Sequence, residues 1–132
     1  MIKKFKYKYL ATVTSVYDGD GAYECTIDMG MKLFVEKQVR LYGIDTPELR
    51  GKQKIAGRKV RDFVRECILG KEVVLHTKRD KSGKYGRLLA IIKFDTNKDL
   101  AKVLMKKGYA KEYLGGKKEP WSNKELEFIL NN

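Results

Sequence analysis

Between Tyr23 and Met29 the chain alternates without a break: Tyr23, Cys25, Ile27 and Met29 are separated by Glu24, Thr26 and Asp28. A period of two sends one set to each face of a strand, so this segment must lie in a sheet with one face buried. Before it stands Asp18-Gly19-Asp20-Gly21, whose residues tolerate a tight reversal, and before that a β-favouring run over 7–17. A hairpin is predicted. Gly30 and Met31 then turn the chain into a third strand over about 33–41.

The pattern changes after Gly43-Ile44-Asp45-Thr46-Pro47-Glu48 and a polar loop. Ala56, Val60, Phe63, Val64 and Cys67 fall on one helical stripe, which Gly70 ends. Strand patterns resume over 72–77 and 87–94, separated by the charged turn 78–86. A second helix is predicted over 98–107, burying Leu100, Val103 and Leu104 before Gly108, and a third over 123–130. Three strands, a helix, two strands and further helices is the order of an OB-fold barrel. The fold class expected is therefore α+β: a five-stranded OB-fold barrel with about three helices. No repeat or Pro/Gly/Ser-rich linker divides the chain, so residues 1–132 are read as a single domain.

Lysine and arginine total 29 against 17 acids, a formal charge of +12, which sets up a field attractive to polyanions. The excess is uneven, with thirteen basic residues and four acids between Arg50 and Arg87. DNA or RNA is the first partner to consider; a basic surface kept for solubility, or one that meets anionic lipid, is the alternative. No apolar run has the length of a signal peptide core or a membrane span, so a soluble, cytoplasmic protein is expected unless another machine exports it. A monomer with no obligate protein partner is also expected. Cys25 and Cys67 fit no metal-ligand spacing and read as free buried thiols. His76, the single histidine, reads as structural or solvated, and Trp121 as an anchor for the C-terminal segment.

Chemistry concentrates in two acidic motifs, Asp18-Gly19-Asp20 and Asp45-Thr46-Pro47-Glu48, with Arg40 five residues before Asp45 and Arg87 opening the last strand. In a three-strand meander the first turn and the end of the third strand can share one edge, where the carboxylates would converge. Clustered carboxylate oxygens suit a hard cation such as calcium or magnesium, whereas zinc would recruit His or Cys. Two arginines beside such an ion offer planar forks for phosphate oxygens. A general base alone supplies about 10²–10⁴-fold acceleration, and enzymes commonly reach about 10⁶-fold or more, so fixed charge must provide most of the rest. Each motif also has a plainer reading. Asp-Gly-Asp-Gly is an ordinary hairpin turn, Thr46-Pro47-Glu48 a capped helix start, and 84–87 a solvated turn.

The ordered runs VYDGDG, RLYGIDTPE, KYGR and GYAKEY resemble the motif set of the staphylococcal nuclease (thermonuclease) family, across residues 10–113. The resemblance implies a calcium-dependent nuclease that cuts DNA and RNA with little sequence preference and leaves 3′-phosphate ends. It implies that Asp20, Asp45 and the carbonyl of Thr46 bind one calcium ion, that Glu48 is the general base, and that Arg40 and Arg87 hold the phosphate. Lys84 and Tyr85 match contacts to a terminal phosphate, and Tyr113 resembles a tyrosine on which a base packs. Gly21 stands where the family commonly has threonine, so a looser turn and weaker metal binding are expected. The loop after Glu48 is basic and shorter than in the secreted enzyme, and an intracellular, phage- or plasmid-borne enzyme would fit. The rival reading is a non-catalytic OB-fold module that binds nucleic acid, as in the family's degenerate repeats.

Overall fold

A computed structural model of the chain describes residues 7–79 and 88–132. Its strands and helices follow in the order β1 (Tyr7–Val16), β2 (Tyr23–Asp28), β3 (Phe34–Leu41), β4 (Ile44–Asp45), α1 (Lys54–Ile68), β5 (Glu72–Arg79), β6 (Leu88–Phe94), β7 (Lys98–Asp99), α2 (Leu100–Lys106), β8 (Lys111–Glu112) and α3 (Asn123–Leu130). Strands β1, β2 and β3 form the antiparallel meander, β5 pairs with the other edge of β1, and β6 pairs with β5. A short parallel pairing of β3 with β6, Val39 opposite Leu88 and Arg40 opposite Leu89, closes the barrel. The five-stranded OB-type barrel with three helices is thus the architecture expected from the patterns.

The barrel closes because each strand offers an inward set at period two. Tyr23, Cys25 and Ile27 of β2 are buried, while Met29 lies past the strand end and is 45% exposed, so the alternation extends one step less than predicted. In β1 the buried set is Ala11, Val13 and Val16. The spacing slips there because the β1–β2 register shifts between Val13 and Ser15, a bulge that bends the strand and re-aims its end. Gly70, at φ +75, donates its N–H to the Val13 carbonyl at 2.7 Å, tying the exit of α1 to that bend.

Helix α1 closes one end of the barrel with Ala56, Gly57, Val60, Val64 and Ile68. Phe63 and Cys67, placed on the stripe by sequence, sit at its margin and are only half-buried; Ile68 takes the inner position instead. Helix α2 is shorter than predicted. Asp99 caps it by accepting the Lys102 N–H at 3.2 Å, and residues 98–99 pair with β6 rather than joining the helix. Leu100 and Leu104 are buried, but Val103 is only partly so. Helix α3 begins with a reciprocal capping box between Ser122 and Glu125, and it buries Leu126 and Ile129.

No helix starts at Thr46-Pro47-Glu48, so the capped-start reading is overturned. The chain forms no regular element over 46–50 and turns once over Gly51–Gln53 before α1. The physical reason is that Thr46 is held to the barrel by its backbone, and Glu48 donates its N–H to the Gln53 Oε1 at 2.8 Å. Helix α1 lies directly beneath this segment. A Cβ added to Gly57 would collide with the carbonyl oxygen of Glu48 and lie 2.9 Å from that of Pro47. We therefore expect Gly57→Ala to destabilise the fold by about 2 kcal/mol or more, read as a lowered urea midpoint, because backbone rather than a flexible side chain must yield.

Candidate functional site

The turn between β1 and β2 carries Asp18 and Asp20, and four bonds hold its shape. Gly21 donates its N–H to Asp18 Oδ1 at 2.9 Å, and Tyr17 its N–H to the Ala22 carbonyl at 3.3 Å. The buried Tyr23 hydroxyl donates to the Gly19 carbonyl, and the Asp20 carbonyl accepts the Leu41 N–H at 2.9 Å. Burial first, then the Asp20 and Asp18 charges, push the Tyr23 phenol well above its ordinary pKa, so it stays protonated as that donor. Gly19 is glycine of necessity: a Cβ there would lie 2.7 Å from Val60 Cγ1 and 2.9 Å from Thr46 Oγ1. At Gly21 an added Cβ would lie 3.4 Å from Arg40 Cγ, an ordinary contact, so packing alone does not demand glycine there.

From this turn the Asp20 carboxylate reaches the end of β3. Oδ2 accepts the Thr46 N–H at 3.0 Å, and Oδ1 lies 3.4 Å from Arg40 Nη1. Arg40 Nη2 also donates to the Ile44 carbonyl at 3.3 Å. One polar cleft of about 280 Å³ is lined by Asp18, Asp20, Arg40, Thr46, Pro47, Glu48, Tyr113 and Lys118. The first turn and the exit of β3 do share an edge, and of the predicted residues Asp20, Arg40, Thr46, Glu48 and Tyr113 meet there. Glu48 is exposed at the cleft, where water reaches it, whereas Asp20 is only 7% exposed.

Asp45 departs from this pattern. It is 6% exposed, but it borders the neighbouring hollow with Lys111, Glu112, Lys117 and Glu119 rather than lining the cleft. Its Oδ2 accepts the Trp121 Nε1–H at 3.2 Å, and its Oδ1 pairs with Lys118 Nζ at 3.2 Å. Trp121 is thus the buried anchor expected, with a polar duty that its sequence position did not reveal. Tyr113 is brought in by the pairing of β4 with β8 and by its N–H bond to the Gly43 carbonyl at 2.8 Å. Lys84, Tyr85 and Arg87 lie outside the described residues.

Asp18 is the residue that sequence reasoning underrated. Burial, then the Asp20 charge and a hydrogen bond shared with Asp20, push its carboxyl up to about 7, against the pull of the Gly21 N–H. Thr46 Oγ1 is buried with no hydrogen-bond partner. A crowded carboxylate pair and an orphaned hydroxyl, all oxygen donors, fit a hard cation in kind. Among the described residues, however, no three Asp, Glu, His or Cys side chains close a cage around one point. Thiol and imidazole chemistry lie elsewhere. Burial raises Cys25 to about 12 and raises the partly buried Cys67, both free thiols, and His76 is lowered by burial and by Lys8 and Lys93 on the barrel wall.

The fold and site together define an OB-type barrel with an acidic, arginine-bearing cleft at one end of its meander. Residues 38–129 match the staphylococcal nuclease homologue family, and the chain belongs to that family. No individual curated protein matches it. Membership points to a nuclease-type or nucleic-acid-binding function, in a family that is typically calcium-dependent. Among the described residues no helix is long and apolar enough to cross a membrane.

The raised Asp18 carboxyl has a measurable consequence. Its folded pKa, about 7, lies above the ordinary 3.8, so its stabilising contribution is complete below about 3.8 and is lost as pH rises through about 7. In chelator, Asp18→Asn should be more stable than wild type at about pH 8 by on the order of 1 kcal/mol. The advantage should vanish near about pH 4, and urea unfolding at the two pH values measures it.

Proposed function

We propose that the chain is a single-domain, monomeric phosphodiesterase, calcium-dependent and without an obligate protein partner, that hydrolyses DNA and RNA with little sequence preference. The observation that carries this reading is the meeting of Arg40 and Glu48 with Asp18 and Asp20 in one cleft of a staphylococcal nuclease homologue barrel. The formal charge of +12 supports a polyanionic substrate. Contacts to phosphate position the backbone without reading bases, hence the low specificity.

Glu48, exposed at the cleft, takes a proton from the water that attacks phosphorus. The new P–O bond forms as the bond to the 5′ oxygen breaks, so phosphate remains on the 3′ side and the 5′ oxygen picks up a proton from solvent. Arg40 and Arg87 hold the phosphate and stabilise the charge that develops on it. Asp20, Asp45 and the Thr46 carbonyl would hold one calcium ion, which when bound offsets phosphate charge. Tyr113 offers a face for a base, which favours single strands or frayed duplex, and Lys84 and Tyr85 meet a terminal phosphate.

One observation favours a second reading. Asp45 is already engaged by Lys118 and Trp121, and no three-carboxylate cage closes among the described residues, as in a module that binds nucleic acid without cutting it. Plasmid degradation separates the two. Chelator should abolish cleavage and added calcium restore it. Glu48→Gln should lower the rate by about 10²–10⁴-fold, and Arg87→Ala should also lower it sharply, with unfolding midpoints near wild type. Binding without cleavage in any divalent cation would establish the second reading, and cleavage indifferent to chelator would remove the metal.

A further inference from the structure

We propose that Lys118 is the resident counter-cation of Asp45, which a divalent ion must displace, while Trp121 keeps that carboxylate in place. The inference rests on the calcium reading above and concerns how Asp45 is made available.

Asp45 is 6% exposed, and a charge so buried requires partners. Both oxygens have one: Oδ2 accepts from Trp121 Nε1 at 3.2 Å, and Oδ1 meets Lys118 Nζ at 3.2 Å. The two partners differ in what it takes to move them. Trp121 is 3% exposed, and Lys111 Nζ sits 4.7 Å above its ring. That ammonium is itself fixed by the Pro120 carbonyl at 3.2 Å and by Glu125 Oε1 at 3.4 Å. Displacing the indole would unpack the segment leading into α3.

Lys118 is the looser partner. Its side chain is 42% exposed, and among the described residues its charge meets, besides Asp45, the face of Tyr113, 5.5 Å from the ring centroid. It also lines the cleft with Asp18, Asp20, Arg40 and Glu48. A divalent ion approaching Asp45 meets this ammonium at close range, and two cations repel. Lys118 can swing away on its four-carbon stem; Trp121 cannot. Lys118 is thus a positioning residue that tunes metal affinity, and it touches no reacting atom.

Calcium titration of the purified full chain, followed by calorimetry and by the emission of Trp121, the chain's single tryptophan, tests this directly. Removing a competing, partly exposed ion pair should make Lys118→Met bind calcium about three- to five-fold more tightly than wild type. Lys118→Arg keeps the charge and should retain the wild-type affinity. A Lys118→Met affinity equal to or weaker than wild type, in a wild type that does bind calcium, overturns this inference alone. A wild type that takes up no calcium overturns the calcium reading as well.

Discussion

Asp20 is where the barrel and its site become one structure. Its backbone carbonyl accepts the Leu41 N–H at 2.9 Å, and its carboxylate accepts the Thr46 N–H at 3.0 Å and faces Arg40 at 3.4 Å. One residue of the first hairpin turn is thereby fastened to the exit of β3 by main chain and side chain together. Such charge-assisted bonds hold a short, buried carboxylate more firmly than packing could. Their consequence is that Asp18, carried two residues away on the same turn, is forced into a partly buried place beside Asp20 and holds its proton up to about 7. Gly19 and Gly57 serve the same end from the other side, because at both positions a side chain would strike the segment of Thr46 or Glu48.

A second layer comes from the C-terminal third of the chain. The two-residue pairing of β4 with β8, Ile44 opposite Glu112 and Asp45 opposite Lys111, lays residues 109–122 against the segment that carries the acidic motif. Tyr113, Lys118 and Trp121 arrive by that route. The pairing is too short to be stable alone, and it persists because Tyr109, Ala110 and Trp121 are buried with it. Among the described residues the site is therefore built by three parts of the chain: the first turn, the exit of β3 and this returning segment.

How much of this was legible depends on the range of the interaction. The barrel strands and α1 announce themselves through periods of two and 3.6, because one face of each is buried. Where the pattern misled, a local event intervened: Met29 lies past the last ladder pair, and Ile68 rather than Cys67 faces inward at the end of α1. Thr46-Pro47-Glu48 has the composition of a helix start, but the tertiary bond to Asp20 outbid local propensity. The convergence of Asp20, Arg40 and Glu48 could be anticipated from a meander, since adjacent strands bring their ends together. The bond from Trp121 to Asp45 spans 76 residues and involves no pattern, so nothing local could signal it. Cleft residue Asp18 was in plain view, yet its proton affinity follows from burial, which composition does not encode.

The charge distribution ties these parts to one problem. The molecule as a whole is strongly basic, yet the cleft is lined by Asp18, Asp20 and Glu48 against Arg40 and Lys118. Salt screens charge beyond about 8 Å at physiological ionic strength. The surplus of lysine and arginine can therefore draw a polyanion toward the surface, but it cannot offset carboxylates at contact range. Inside the cleft a phosphate would meet carboxylate repulsion unless local cations answer it. Arg40 is partly committed to Asp20, and Lys118 to Asp45. Among the described residues the cleft's own cations are thus partly spent on its carboxylates, so in the reading proposed above a hard cation, together with Arg87, would offset charge that the basic surface is too far away to reach.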